Sequence, residues 1–354
     1  MSNSDFLKAL NNEFTSRVPR TEYSAHVHWE LIKAVTGINT DIIEKRENAS
    51  REFVKKWRYG FFWNTLVNRK HLEEHGRTTR MGHAEYAEKP DGATDYDSIT
   101  TNPFSDPEKA LELDPVKEYG CFEESVLISS FRQKYEEMEK KFPQAHNMTG
   151  IYITMVSGLL EIYGWDTFLT LIAYDDKKLG KIIYGYYEWI SQFYSALAKT
   201  DIPVIMSHDD ICWTSGPFTH PDWYRKYIFP CIKKLWRPLK DAGKKIIFTS
   251  DGNWTEFFSD IIDCGADMAV MEPCSDMALF AEKYGKKTGF TGNADCRILL
   301  SGTKDDIKNE VKRCMNIGKK YPGFIMAVGN HIPPNTPVDN ALFYNEMYEK
   351  MCIR

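Results

Sequence analysis

The chain has 354 residues, 42% of them hydrophobic, and carries 45 Lys and Arg against 50 Asp and Glu, a formal net charge of −5. That balance, with no basic tract, excludes a general nucleic-acid binder, which needs an excess of cations for phosphate contacts. The opening stretch MSNSDFLKALNNEFTSRVPR lacks the basic-then-apolar run of a secretory signal, and nowhere do roughly eighteen apolar residues run together, so a cytoplasmic protein with no membrane partner is expected. Eight cysteines occur and none forms a Cys-x-x-Cys pair, which points to buried free thiols rather than a disulfide framework.

In chain order, residues 1–56 read as a helical extension and 57–354 as one large α/β unit. WRYGFFWN (57–64) is an apolar strand candidate, and GRTTRMG (76–82) is a weaker one. Residues 84–120 are polar and punctuated by Pro, Gly and Asp, the pattern of an insertion, either a lid over the mouth of the fold or an ordinary surface excursion. GIYITM (150–155) is a further strand, followed by helical sequence over 157–199.

From residue 200 the pattern is regular: a short apolar run, a polar corner, then an amphipathic helix. The runs are IPVIMS (202–207), KIIFT (245–249), MAVME (268–272), KTGFTG (287–292) and GFIMAVG (323–329). Apolar strands alternating with helices indicate parallel strands covered on both faces. The helix in HPDWYRKYIFPCIKKLWRPLKDAG begins at Pro221 and stops at Gly243, with Pro230 and Pro238 expected to bend or split it. The next stops at Gly265, and Ser275 and Thr303 are expected caps for the two after it. Six to eight such strands without a glycine-rich phosphate turn predict an α/β fold of the (β/α)8 TIM-barrel type with an N-terminal extension and an insertion.

Function in such barrels gathers where strands end. The corners here are His208-Asp209-Asp210, Ser250-Asp251-Gly252-Asn253, Glu272, Asn293 with Asp295, and Asn330-His331. Any one Asp or Asn could simply cap a helix, but five corners converging on one rim suit a metal, a cationic substrate or acid/base chemistry. Asp251, His208 and Asp210 are the catalytic candidates. His331, Glu272 and Asp251 are the candidate metal ligands, with His208 as a further donor, and Asp295, Glu310 and His331 form a second, lower-ranked set because Glu310 falls mid-helix on an expected solvent-facing position. Trp213, Asn253, Asn293 and His83 are candidate substrate contacts. Trp213, Phe218, Trp223 and Trp254 are read equally as core packing or as walls for a flat substrate.

The run from SHDDICWTSGPF through IIFTSDGNW to MAVMEP, continued by TGFTGNADC and GFIMAVGNHIPPNTPVDN, resembles the uroporphyrinogen decarboxylase superfamily, which contains the decarboxylase and corrinoid-linked methyltransferases on a (β/α)8 barrel. The resemblance is good over roughly 150–350. RVPRTEYSAHVHWELIKAVTG lacks the arginine-rich segment with which the decarboxylase grips carboxylates and is similar to the start of the methyltransferases. Where the thiol methyltransferases of that branch place zinc-binding His-x-Cys and a second Cys, this chain has Thr249, Asp251 and Asn330. The resemblance therefore implies a methyltransferase that moves a methyl group from a small methylated donor, foremost an aryl methyl ether, to the Co(I) corrinoid of a partner protein. An oxygen-rich site could hold zinc at the ether oxygen, or Asp251 could serve directly as an acid. The alternatives are a decarboxylase using Asp209 or Asp251, a methylamine or betaine methyltransferase, and a noncatalytic corrinoid- or metabolite-binding protein. Oligomeric state is not legible; a homodimer is carried as an expectation.

Overall fold

The computed structural model describes residues 2–79, 102–104 and 106–354. In chain order the strands are β1 (Phe61–Phe62), β2 (His146–Asn147), β3 (Thr149–Ile151), β4 (Val204–His208), β5 (Cys212–Trp213), β6 (Gly216–Pro217), β7 (Lys245–Ser250), β8 (Met268–Met271), β9 (Gly289–Ala294) and β10 (Phe324–Val328). A six-stranded sheet runs β10-β9-β8-β7-β4-β3, all neighbours parallel, and β1 pairs in parallel with β2. β5 and β6 form a small antiparallel hairpin just after β4.

Short bridges join the two parallel sheets into a circuit. Residues 146–151 act as one segment, β2 facing β1 and β3 facing β4. Arg20 pairs in parallel with both Tyr59 and Met326, through Gly60 N–H to Arg20 O (2.7 Å), Thr21 N–H to Met326 O (3.1 Å) and Met326 N–H to Pro19 O (2.9 Å). The ladder thus passes from β10 through residues 19–21 and 59–62 to 146–151 and back to β4, the parallel circuit of a (β/α)8 barrel. The eighth strand comes from the N-terminal extension, not from 76–82. Thr79 is the last residue described there, its N–H donating to Glu161 O, and residues 76–79 form no strand.

Why the strand runs are continuously apolar is visible in their two faces. Val204, Met206, Ile247, Met268, Val270 and Ile325 point inward and form one buried cluster with Phe61 and Met148. Ile205, Ile246, Phe248, Ala269, Met271, Phe290, Phe324 and Met326 belong to the larger cluster shared with the surrounding helices. Phe6, Ala9 and Leu10 of the first helix, Ser2–Leu10, join the inner cluster, which puts that helix against the barrel interior.

Helix boundaries follow local chemistry. The proline-containing helix splits at Ile228 into Pro221–Tyr227 and Phe229–Asp241, with Pro230 in the first turn of the second piece and Pro238 inside it. Gly265 ends Phe258–Cys264 at φ 115°. Thr303 caps Lys304–Gly318 in a capping box with Asp306. Ser275 is not the cap of Met277–Tyr284; Asp276 is. Within the inserted stretch, residues 80–101 and 105 lie outside the described residues, and so does His83. Its later part is packed into the body rather than standing off it: Phe104 and Tyr119 are buried, and Tyr163 Oη donates to Ala110 O at 3.0 Å.

All eight cysteines are free thiols. Among the described residues no helix is long and apolar enough to cross a membrane.

Candidate active site

At the end of β4 the chain delivers His208, Asp209 and Asp210 in succession, and alternation sends them to different places. His208 is buried. Its Nδ1 is 2.8 Å from Tyr152 O, its Nε2 is 3.1 Å from Asp210 Oδ1, and its ring stacks on Tyr152 at 3.8 Å and 10°. Burial alone would lower the pKa of this imidazole, but the Asp210 carboxylate, with help from Asp251, outweighs it and raises the pKa to about 9. His208 is therefore an imidazolium at neutral pH.

β7 ends in the corner Asp251-Gly252-Asn253. Gly252 has φ +77°, and a Cβ there would lie 2.2 Å from Cys212 O of the β5–β6 hairpin, so only glycine brings the two backbones together. Asn253 N–H donates to Trp213 O (2.8 Å), and Asn253 Oδ1 accepts from Thr255 N–H (3.2 Å), capping the turn that follows. The corner is also held from inside. Asp251 N–H donates to Asp210 Oδ1 (2.9 Å), and Gly252 N–H donates to Glu272 Oε2 (2.7 Å).

These contacts leave the Asp251 carboxyl facing a small cavity of about 50 Å³. Its apolar floor is Met206, Val270, Ala327 and Val328; its walls are Tyr23, Trp63 and Tyr152; its polar groups are His208, Thr249, Asp251, Asn330 and His331. No lysine or arginine is among these lining residues. His331 packs edge-on against Tyr23 at 4.5 Å. Asn330 Nδ2 donates to Glu272 Oε1 at 2.7 Å and lies 3.4 Å from Asp251 Oδ2.

Three carboxylates, Asp210, Asp251 and Glu272, thus crowd one imidazolium. Asp251 absorbs the consequence: desolvation first, then repulsion from Asp210 and Glu272, raise its pKa well above the usual carboxylate value, while His208 and Asn330 pull it only partly back. The same desolvation and carboxylate field push the Tyr23 phenol up. The site thus presents the Asp251 carboxyl, the Tyr23 and Tyr152 phenols, the Thr249 hydroxyl and an imidazolium to whatever enters, which suits proton donation to a leaving atom.

The predicted residues divide accordingly. His208, Asp251 and His331 line the cavity, and Asp210 and Glu272 stand directly behind Asp251. Trp213, Asn253 and Asn293 do not line it. Trp213 is 41% exposed on the β5–β6 hairpin beside Trp165 and Phe218. Asn293 is fully buried, its amide bonding Glu272 O, Ser275 O and the Arg313 guanidinium. Trp254 and Trp223 are core residues.

Among the described residues no group of three or more His, Cys, Asp or Glu is arranged to hold a metal ion. The physical reason is that Glu272 spends one oxygen on the Gly252 N–H and the other on Asn330, while His331 turns its ring to Tyr23. The second set fails differently: Glu310 is buried rather than solvent-facing and accepts from Asp295 N–H (2.9 Å) and Arg313 (2.7 Å).

Sequence reasoning missed the walls. Tyr23 follows the short eighth strand, Trp63 follows β1 and Tyr152 follows β3. The signal available was the one used for the other corners, an aromatic just past a strand end, but these strands are only two or three residues long.

Comparison with known proteins agrees with this architecture. Residues 98–351, more than two thirds of the chain, match the sequence model of the Uroporphyrinogen decarboxylase (URO-D) family. Uroporphyrinogen decarboxylase from Syntrophotalea carbinolica is 27% identical over 128 residues, 36% of this chain and 37% of that protein. The Carboxydothermus hydrogenoformans uroporphyrinogen decarboxylase is 27% identical over 131 residues, 37% of this chain and 37% of its own length. The matched region is thus under two fifths of these curated relatives. A methyltransferase from Methanosarcina mazei has the same fold, with a TM-score of 0.65 at 18% identity over 99% of this chain and 98% of that one. The chain belongs to the uroporphyrinogen decarboxylase family.

Proposed function

We propose that this protein is a methyltransferase of that family that removes a methyl group from an aryl methyl ether and passes it to the corrinoid of a partner protein. One observation carries the reading: Asp251, a carboxyl whose pKa burial and two neighbouring carboxylates raise well above the usual carboxylate value, faces a cavity with aromatic walls. Demethylating an ether breaks a C–O bond whose electron pair stays on oxygen, and a phenolate is a poor leaving group unless that charge is met. The nucleophile for the methyl carbon would be supplied by a Co(I) corrinoid carried on the partner protein.

The chain's own residues do the rest. Tyr23, Trp63 and Tyr152 enclose the ring, and the apolar floor excludes water. Asp251 gives its proton to the ether oxygen as the bond breaks and becomes a carboxylate stabilised by the His208 imidazolium. Asp210 holds His208 charged. No step needs a metal, and the described residues do not assemble a three-ligand site for zinc. The methyltransferase neighbour supports the reading at the level of fold.

A porphyrinogen substrate carries several carboxylates, and the described lining residues include no lysine or arginine to pair with them. A second reading, a methylated ammonium donor, is favoured by the same aromatic walls and acidic surroundings. The two differ in the sign of one effect. An ether needs Asp251 protonated, so methyl transfer falls as pH rises; a quaternary ammonium leaves as a neutral amine and binds better to the carboxylate, so transfer rises.

The test mixes purified protein with a Co(I) corrinoid protein and a panel of methoxylated aromatics and methylated amines, following loss of the Co(I) absorbance. Transfer from a methoxyarene is expected. No transfer from any donor, together with carbon dioxide release from a porphyrinogen, overturns the reading.

A further inference from the structure

We infer that Asp209, which neither lines the cavity nor meets substrate, is the positioning residue of the site: through the first turn of the helix Val156–Tyr174 it fixes Asp210, and with it the His208–Asp210 pair behind Asp251.

Asp209 has no exposed surface. Its Oδ1 accepts from Ser157 N–H at 2.7 Å and its Oδ2 from Val156 N–H at 3.1 Å, both first-turn amides of that helix, which breaks at Gly164. Its own N–H donates to Thr249 O at 3.0 Å, continuing the β4–β7 ladder. The helix returns the contact one residue later: Ser157 Oγ accepts from Asp210 N–H at 2.8 Å. Residues 209 and 210 are therefore clasped to one helical turn, the first by its carboxylate and the second by its amide.

With the backbone so held, Asp210 Oδ1 receives both His208 Nε2 and Asp251 N–H. A rotation of Asp210 by one rotamer would break both bonds and leave His208 without its main counter-charge. The layer beneath is equally tied: Tyr194 Oη, Thr154 Oγ1 and Ser207 Oγ lie within 3.0 Å of one another, and Trp236 Nε1 donates to Ser207. A carboxylate is costly in such a place unless hydrogen-bonded. Burial raises the pKa of Asp209 to about 6, with the Ser157, Val156 and Met155 amides opposing the rise, so it is ionised at neutral pH. Other groups near Asp209 are His208, Tyr186, Tyr194 and Tyr224; those around His208 are Asp209, Asp210, Asp251 and Tyr152, so Ser157→Ala, which leaves the Asp209 charge in place, isolates the effect of position.

The inference rests on the proposed function only for its kinetic readout, so the deciding measurement is independent of turnover. The imidazole titration of His208 is followed by NMR in wild type, Asp209→Asn and Ser157→Ala, each checked for folding by circular dichroism. Release of Asp210 is expected to move the His208 midpoint down from about 9 toward its ordinary value, by about one pH unit or more in Asp209→Asn and by less in Ser157→Ala. In the methyl-transfer assay kcat falls with KM nearly unchanged, because the cavity lining is intact. An unchanged His208 titration in the folded variants overturns the inference. If Asp209→Asn does not fold, Ser157→Ala alone decides. Failure of wild type to demethylate any ether overturns the proposed reaction instead and leaves the His208 result standing.

Discussion

Two buried charged groups in this barrel are built on opposite plans. Arg20, fully buried in the closing strand, has its charge matched: it bonds Glu22 Oε1 at 2.7 Å and Asn345 at 2.5 Å and lies over the rings of Trp57 and Tyr348. Glu22 in turn accepts from Tyr344 Oη (2.8 Å) and Val328 N–H (3.0 Å). At the rim, by contrast, Asp210, Asp251 and Glu272 share one imidazolium, and the imbalance drives the Asp251 pKa well above the usual carboxylate value. A balanced pair locks a strand into place; an unbalanced cluster stores a proton ready for use. The first reads as structure and the second as chemistry.

The largest test of that contrast is Asp251→Asn. It keeps the shape and removes the transferable proton, so kcat/KM for an aryl ether should fall about 10²–10⁴-fold, measured by cobalt absorbance. Stability should move the other way. A carboxyl whose folded pKa is raised contributes stability that is complete below its unfolded value near ~3.9 and is lost as pH rises through the folded value. The variant should therefore melt higher than wild type at neutral pH and lose that advantage toward pH ~4, by calorimetry.

At the balanced pair the expectations reverse. Arg20→Met leaves Glu22 buried without its partner and should cost about 3–5 kcal/mol in denaturant unfolding, whereas Arg20→Met with Glu22→Leu should recover much of it. If both variants lose equally, the pair is not what closes the barrel. A smaller effect is expected at Gly252→Ala, where the new Cβ meets Cys212 O at 2.2 Å in a backbone of φ +77°. About 1–3 kcal/mol of stability should be lost, with kcat falling as Asp251 shifts. Smallest of all, Trp213→Ala, on the exposed hairpin outside the cavity, should change KM by less than about threefold.

The same contrast explains what could be read from sequence. β4, β7, β8, β9 and β10 are apolar runs long enough to show both faces, and the polar corner after each stands out against them. The closing strand could not be read this way. Pro19, Arg20 and Thr21 look like a loop, and only Glu22, Trp57 and the helix Val338–Met351, distant in sequence, make a buried arginine tenable. Asp251 was legible as a residue but its protonation was not, because that depends on Asp210 and Glu272 arriving from two other strands. Asn253 and Asn293 show the converse: their chemistry invited a substrate role, while a cap and a buried clamp use the same amides.

The central claim is that Asp251 carries a proton at neutral pH. Infrared difference spectroscopy between wild type and Asp251→Asn, each labelled with carbon-13 aspartate, reads this directly. The account predicts a protonated-carboxyl C=O band in wild type at pH ~7, absent from the variant and fading as pH rises. A carboxylate band in its place would contradict it.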